Sequence, residues 1–294
     1  MSEETSASRA GPSDGLTAVD WIGACQRIAG AQRKLFDAQR GIAVRTVYEG
    51  FGEGGDRALA LDRRSEDIVF AELERIAANG HAFTAISEER GEVELGGGGD
   101  LRVVIDPLDG SLNARRMLPS YSLSIAVASG PVMADVDLGY VYDFGSGEEY
   151  VARRGQGATL NGDALRAEGP GYGLEVVGIE SSKPERTLPL LEGLVGKAYR
   201  IRSVGSIAIS LAYVAGGRFD AMVTGRACRS VDAAAGQLIA REAGAAVEFA
   251  DFELRSASLS LDARYHVAAA LDRELLDVVL EAQGRVEGAV AGNA

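Results

Sequence analysis

The segment that decides the fold reads RVVIDPLDGSLN and spans residues 102–113. Three β-branched residues lead into Pro107, which fixes φ and lacks a backbone donor, so we expect a strand that ends there. Asp106 and Asp109 lie on either side of Leu108 and Pro107, and both carboxylates can point to one side of the turn. The segment therefore predicts a buried strand that delivers two acids to the edge of a sheet.

The same turn also carries groups that bind anions. Gly110 and Ser111 supply backbone N–H groups and a hydroxyl where a short helical turn would begin. Carboxylates repel phosphate, so acids and anion-binding amides fit one site when a cation such as Mg²⁺ lies between them. An Asx-rich turn with a capping serine is the alternative, and these residues alone leave both interpretations open.

Acids elsewhere in the chain extend the candidate site. Glu88 and Glu89 follow a predicted strand over 82–86, and adjacent side chains on a strand point in opposite directions, so at most one of them faces the turn. Asp62 is either a helix N-cap or a catalytic base. Asp232 lies near the start of a periodic helix, where the helix dipole already favours a carboxylate. Each of these acids has an ordinary structural or solvated role as its alternative.

The surrounding chain predicts one domain of two lobes between two tails. We expect a disordered tail at 1–15, a single domain over 16–284 and a loose C-terminal tail at 285–294. The lobes would span about 16–170 and 171–284. Short strands with glycine-rich turns follow two helices in the first lobe, whereas strands and helices alternate in the second, a pattern that indicates α+β followed by α/β.

Periodicity places the individual elements of both lobes. Predicted helices cover 17–39, 63–78, 184–194, 206–215, 232–243 and 272–281. Predicted strands cover 82–86, 101–106, 121–128, 136–142, 149–152, 175–180, 198–202, 219–223 and 266–270.

The composition excludes two classes of partner. The chain has 294 residues, with 30 Lys and Arg against 43 Asp and Glu, and its net charge of −13 repels a nucleic-acid backbone. There is no run of about 18 apolar residues to cross a membrane and no signal peptide. Cys25 and Cys228 fit free thiols in a reducing compartment. We expect a cytoplasmic protein that binds neither nucleic acid nor membrane.

One glycine-rich segment matches a nucleotide-binding pattern. Residues 50–55 read GFGEGG and satisfy the GxGxxG pattern of dinucleotide-binding loops. That pattern requires a helix immediately after it, whereas residues 57–61 alternate like a strand. We therefore expect a flexible loop here.

Taken in order, the acidic motifs resemble those of the inositol monophosphatase and archaeal-type fructose-1,6-bisphosphatase family. The resemblance covers about residues 17–283 and is carried by Asp62 with Glu66-Asp67, by Glu88-Glu89, by the 106–113 segment, and by DAAAG at 232–236 with EAG at 242–244. It implies a layered αβαβα sandwich of the inositol monophosphatase type. It also implies Mg²⁺-dependent hydrolysis of a small sugar or polyol phosphomonoester by a homodimer.

The resemblance assigns five residues to two or three Mg²⁺ ions. Glu88, Asp106 and the Leu108 carbonyl would hold one ion. Asp106, Asp109 and Asp232 would hold a second.

Further roles follow from the same resemblance. Ser111 and Asp62 would orient and deprotonate the attacking water, and the amides of Gly110 and Ser111 would hold the phosphate. Gly205 and Ser206, within the stretch RSVGSIA at 202–208, are expected to bind substrate.

The chain departs from the animal members of this family, which place a glutamate shortly before the last metal-binding aspartate. Here residues 224–229 read TGRACR and contain no acid. Arg226 and Arg229 instead favour an anionic group at the distal end of the substrate. Simple counter-charges for the nearby acids are the alternative role of these arginines. Inositol 1-phosphate and fructose 1,6-bisphosphate are thus the expected substrates. A 3′(2′),5′-bisphosphate nucleotidase and a non-catalytic member that binds a phosphorylated ligand are the alternatives.

Overall fold

A computed structural model of the chain describes residues 18–47, 60–180, 183–250 and 252–291. The predicted N-terminal tail and the glycine-rich segment at 50–55 lie outside these residues. Within them, no helix is both long enough and apolar enough to cross a membrane.

The described helices are α1 (Trp21–Ala38), α2 (Ile42–Arg45), α3 (Ala60–Ala78), α4 (Ser111–Arg116), α5 (Pro184–Leu194), α6 (Ile207–Ala215), α7 (Ser230–Glu242) and α8 (Arg273–Ala291). The strands of the first sheet are β1 (Phe83–Ser87), β2 (Gly91–Leu95), β3 (Arg102–Asp109), β4 (Ser122–Ala128), β5 (Val136–Asp143), β6 (Glu148–Arg153), β7 (Gly157–Leu160) and β8 (Asp163–Leu165). The remaining strands are β9 (Leu174–Glu180), β10 (Ala198–Arg202), β11 (Ala221–Thr224), β12 (Cys228–Arg229), β13 (Ala246–Phe249), β14 (Arg264–Tyr265) and β15 (Val267–Ala270).

The decisive strand β3 lies inside an eight-stranded sheet of order β2-β1-β3-β4-β5-β6-β7-β8. Seven of its eight residues are buried, and its apolar side chains alternate between two cores. Val103 and Ile105 pack with Ile28 of α1 and Phe70 of α3, whereas Val104 packs on the opposite face with α6 and α7. Residues 103–105 form a continuous apolar run because helices cover both faces of the sheet.

A second sheet lies beyond α6 and α7 and completes five layers. Its strand order is β10-β9-β11-β15-β13. Met222 of this sheet shares one core with Val214 of α6 and Ala234 of α7. Its other face packs against α5 and α8 through residues such as Leu190 and Val279. The predicted αβαβα sandwich is confirmed, and the central helices join the two sheets through one core.

Helix α7 lies between the sheets at very short range because its residues are small. A Cβ atom at Gly139 of β5 would lie 2.7 Å from the carbonyl oxygen of Ala235, and one at Gly236 would lie 2.8 Å from Leu211 Cδ1. The DAAAG motif therefore brings the start of α7, including Asp232, against the first sheet.

Several predicted bounds are corrected. Helix α8 runs to Ala291, so residues 285–291 are helical and not a loose tail. Gly284 and Gly288 each lower the stability of the helix by about 1 kcal/mol, but the helix contains no proline that would end it. Six strands were absent from the predicted elements, and each has five residues or fewer: β2, β7, β8, β12, β13 and β14. Residues 60–61 begin α3, although their alternation indicated a strand.

We predict that Gly139→Ala destabilises the protein by about 1–3 kcal/mol, because the added methyl group would meet a backbone carbonyl that cannot move aside. Gly30→Ala is the matched control. It adds the same methyl group at an exposed position of α1, where no atom would lie within 4 Å of the new Cβ. The variant should be as stable as wild type or more stable by up to about 1 kcal/mol. Urea unfolding measures both variants, and equal stability of the two would contradict the close packing of α7.

Candidate functional site

A cavity of about 610 Å³ opens where β3, α4, β9, α6 and α7 meet. Carboxylates, arginines and the glycine-rich turn after β3 all face it, so most of the predicted site residues come together here. Its lining comprises Glu88, Asp106, Leu108, Asp109, Gly110, Ser111, Leu112, Glu180, Gly205, Ile207, Arg226, Ala227, Cys228, Arg229, Asp232 and Arg264.

Three carboxylates from distant parts of the chain form the centre of this cavity. Glu88 follows β1, Asp106 belongs to β3 and Asp232 lies in the first turn of α7, yet their oxygens lie within 4.8 Å of one another. Burial raises the pKa of Asp106, and the nearby charges of Asp109 and Asp232 raise it further. Clustered oxygen donors with like charges are the ligand set that Mg²⁺ prefers, so these residues fit the ion.

Asp109 lines the same cavity, but the N-terminus of α6 holds one of its oxygens. Asp109 Oδ2 accepts hydrogen bonds from Ser206 Oγ at 2.6 Å and from the Ala208 N–H at 2.8 Å. Burial and the neighbouring Asp232 raise the pKa of Asp109 to about 7, although these two hydrogen bonds lower it in part.

Ser206, which is predicted to bind substrate, has a side chain that contacts the protein itself. Ser206 is 1% exposed and lies outside the cavity lining. Its hydroxyl accepts from the Ile209 N–H as the N-cap of α6 while it donates to Asp109. Ser206 therefore positions a candidate metal ligand. Gly205, its neighbour, does line the cavity.

The turn after β3 combines both of the interpretations left open by its sequence. Asp106 Oδ1 accepts the Leu108 N–H at 2.9 Å, as in an Asx turn, and the same carboxylate belongs to the acidic cluster. The strand does not end at Pro107, because a bulge relative to β4 carries it on to Asp109. The N-cap of α4 is Gly110, so the expectation of a capping serine is wrong.

Gly110 is required by the shape of this turn. Its φ of +83° lies in the left-handed region, and a Cβ atom here would lie 2.8 Å from the Ser120 carbonyl oxygen and 3.0 Å from that of Gly205. Ser111 follows as the first residue of α4 and is half-buried at the cavity wall. The turn thus presents Ser111 and its amide at a fixed place beside the acids.

Two polar side chains hold α4 in place from opposite sides. Asn113 Nδ2 donates to the carbonyls of Ser120 at 2.6 Å and Val204 at 2.7 Å. Arg45 is buried and donates at 2.8 Å to the carbonyls of Ala114, Phe36 and Gln39. The carbonyls that Arg45 contacts lie in the last turns of α1 and α4 or directly after α1.

Asp62 lies in the first turn of α3 and is not among the residues that line the cavity. Its Oδ1 is buried and has no hydrogen-bond partner among the described residues. Burial and the charge of Glu89 raise the pKa of Asp62 to about 7, against the opposing charge of Arg115. Its position within the helix argues against the N-cap interpretation. An unpartnered carboxylate with this pKa suits a base.

The two adjacent glutamates after β1 face different partners. Glu88 joins the acidic cluster, as expected for at most one of the pair. The charge of Glu89 instead raises the pKa of Asp62. Their turn is anchored by Glu66, which is buried and accepts from Ser87 Oγ at 2.6 Å and the Arg90 N–H at 3.1 Å.

The predicted substrate arginines occupy different surroundings. Arg229 forms an ion pair with Glu88, and its backbone N–H donates to Asp232 Oδ2 at 2.8 Å. Arg226 is exposed at the cavity. Both arginines, with Arg264, lower the pKa of Asp232 against the effect of its burial. Arg229 is therefore a counter-charge of the acids, and its contact with substrate stays a prediction.

Two charged residues that line the cavity were not predicted from the sequence. Arg264 comes from β14, which reaches the site because it pairs with β12, the strand of Arg229. Glu180 ends β9 and is buried, and burial raises its pKa. No motif surrounds either residue, and the only signal was an acid at the end of a predicted strand.

Comparisons with known proteins agree with this fold. A model of the inositol monophosphatase family matches residues 22–286. A fructose-1,6-bisphosphatase/inositol-1-monophosphatase of Thermococcus kodakarensis is 36% identical over 239 residues, which cover 79% of this chain and 85% of the relative. The Nus factor SuhB of Escherichia coli K12 is 36% identical over 194 residues, which cover 64% and 69%. A crystal structure of an inositol monophosphatase-fructose 1,6 bisphosphatase matches with a TM-score of 0.78 at 27% identity, over 90% of this chain and 100% of that one.

We predict that Asp106→Asn stabilises the metal-free protein at about pH 8. The pKa of Asp106 is raised above the value of about 3.9 expected in the unfolded chain, so its charged form destabilises the fold increasingly as pH rises above that value. The gain should shrink towards pH 4, where the wild-type carboxyl is protonated. Melting in EDTA at both pH values measures it, with Glu92→Gln of the exposed edge of β2 as the control. A variant less stable than wild type at pH 8 would refute the repulsion.

Proposed function

Because the chain belongs to the inositol monophosphatase family, we propose that it is a Mg²⁺-dependent phosphomonoesterase that acts on inositol 1-phosphate, fructose 1,6-bisphosphate or both. The predicted family is confirmed by the match over residues 22–286, and the class of enzyme, a phosphatase, is confirmed with it. The observation that carries the finer proposal is the cluster of Glu88, Asp106 and Asp232 beside the Gly110-Ser111 turn.

Five groups would hold the metal in this proposal. Glu88, Asp106 and Asp232 form the central set, and Asp109 and the Leu108 carbonyl line the same cavity. When bound, Mg²⁺ would supply positive charge that attracts the phosphate oxygens and favours the ionisation of water. Two or three ions per site are expected from the resemblance.

The turn after β3 would bind the phosphate and orient the water. The N–H groups of Gly110 and Ser111 lie at the N-terminus of α4, where backbone donors are unpaired and attract anions. The Ser111 hydroxyl would orient a water molecule for in-line attack on phosphorus, and Asp62 would accept its proton. Water displaces the sugar or polyol oxygen directly, so no phosphoenzyme forms.

The arginines would divide the task of recognising charge. Arg229 balances Glu88 and so supports the metal set for every substrate. Arg226 is exposed at the same cavity and is available for a second, distal phosphate. This division favours a bisphosphate among the accepted substrates. We retain the proposal of a cytoplasmic homodimer from the resemblance.

The non-catalytic alternative is supported by the similarity to a Nus factor. It is opposed by the complete set of acids around the cavity. Release of inorganic phosphate by the purified chain, dependent on Mg²⁺ and abolished by EDTA, distinguishes the two. Absence of release from inositol 1-phosphate, fructose 1,6-bisphosphate and adenosine 3′,5′-bisphosphate alike would favour the non-catalytic role.

We predict that Ser111→Ala lowers kcat by about 10²–10⁴-fold and leaves Mg²⁺ affinity unchanged, because the hydroxyl orients water and does not hold the ion. Steady-state kinetics and calorimetry measure the two quantities. Ser256→Ala is the control, since that exposed hydroxyl contacts only the Glu253 carbonyl. Phosphate trapped covalently on Ser111 during turnover would show that the direct-water mechanism is wrong.

We predict that Arg226→Ala lowers kcat/KM for fructose 1,6-bisphosphate about tenfold or more and spares inositol 1-phosphate, because a charge-assisted contact contributes roughly 1.5–3 kcal/mol. Arg229→Ala should impair both substrates, since it removes the counter-charge of Glu88. Equal losses on the two substrates in Arg226→Ala would remove the reason to favour a bisphosphate.

A further inference from the structure

Glu180 lies in the cavity, but the chemistry proposed above does not use it. It ends β9 and is 7% exposed. Its Oε1 accepts the Val204 N–H at 3.0 Å and Ser210 Oγ at 2.7 Å, and its Oε2 accepts the Gly205 N–H at 2.8 Å. A buried carboxylate with three donors is fully committed to one arrangement, so it fixes the turn at residues 204–205 to the end of β9.

That turn touches the phosphate-binding segment of the other sheet. The Val204 carbonyl accepts Asn113 Nδ2 at 2.7 Å. The Gly205 carbonyl oxygen lies 3.0 Å from the position of a Cβ on Gly110, and Gly205 has a φ of +80° that a larger residue rarely adopts. Any shift of the 204–205 turn would therefore move the segment that carries Ser111.

The same turn leads directly to the residues that hold Asp109. Ser206 follows Gly205 and donates to Asp109 Oδ2, which the Ala208 N–H also contacts. The position of the Asp109 carboxylate thus depends on where the chain enters α6. Glu180 determines that point of entry through two backbone N–H groups.

We propose that Glu180 is a positioning residue that sets the Asp109 carboxylate and the Gly110-Ser111 turn by holding the amides of Val204 and Gly205. The inference rests on the proposed function, because it takes Asp109 as a Mg²⁺ ligand. It assigns no contact with substrate to Glu180. Partners of metal ligands of this kind typically change metal affinity or activity by 10–100-fold when they are replaced.

The test replaces Glu180 with glutamine and measures Mg²⁺ binding to the full chain by calorimetry. Glutamine keeps the size of the side chain but exchanges one accepting oxygen for an N–H donor, which conflicts with the donors around it. Glu180→Gln should raise the Kd for Mg²⁺ by about 10–100-fold. Ser210→Ala removes only the hydroxyl donor and leaves both amide contacts, so its Kd should stay within about twofold of wild type.

Asp143→Asn is the matched control for a general loss of stability. Asp143 is also fully buried and holds a turn through the N–H groups of Gly145 and Ser146, but it lies outside the cavity lining. The Asp143→Asn substitution should lower the free energy of unfolding measured in urea and leave the Kd for Mg²⁺ unchanged. An unchanged Kd in folded Glu180→Gln, or a rise that Asp143→Asn reproduces, would overturn the proposal.

Ser206→Ala tests the same connection without touching Glu180, should Glu180→Gln fail to fold. It removes the hydroxyl that contacts Asp109, and we expect a raised Kd for Mg²⁺; an unchanged Kd would overturn the proposal. Mg²⁺ binding is measured without turnover, so the experiment tests the role of Glu180 separately from the proposed phosphatase activity. Wild-type chain that binds Mg²⁺ but releases no phosphate would contradict the proposed function alone, whereas wild-type chain that binds no Mg²⁺ would contradict both.

Discussion

The mutual repulsion of clustered, partly buried carboxylates is the constraint on which the rest of the structure depends. Glu88, Asp106 and Asp232 bring their oxygens within 4.8 Å of one another, and Asp109 lies beside them. Such a cluster opposes folding, because charged carboxyl groups lose water and repel one another at short range. Backbone N–H groups, the hydroxyl of Ser206 and the Arg229 guanidinium partly offset this cost. A divalent cation would offset the remainder.

The layered fold is the means by which the acids are held together. Glu88 directly follows β1, Asp106 lies on the neighbouring strand β3, Asp232 lies in the first turn of the central helix α7, and Asp109 is fixed by the start of α6. Both helices pack against both sheets, so a displacement of either layer would move at least one acid. The small residues of α7 make that packing close. Stability and the geometry of the site therefore have a common structural basis.

Local rules in the sequence were sufficient for the parts of the site that are local in the chain. The segment at 102–113 indicated a buried strand, a turn with two acids and a helix start, and the structure has all three, with a bulge in place of the expected strand end at Pro107. Partners brought in by long-range pairing were not predictable. Arg264 reaches the cavity through the β12–β14 pair, Glu180 through the end of β9, and Ser206 turned out to support Asp109. The hydrogen-bond partners of Glu180 lie 24 to 30 residues away in sequence, and Asp109 lies 97 residues from Ser206.

The most direct measurement is a crystal structure of the protein with Mn²⁺ and inorganic phosphate, in which anomalous scattering locates the metal. We predict an anomalous peak within ligand distance of Glu88, Asp106 and Asp232, with phosphate against the amides of Gly110 and Ser111. A cavity without an anomalous peak at saturating Mn²⁺ would contradict the proposed metal site.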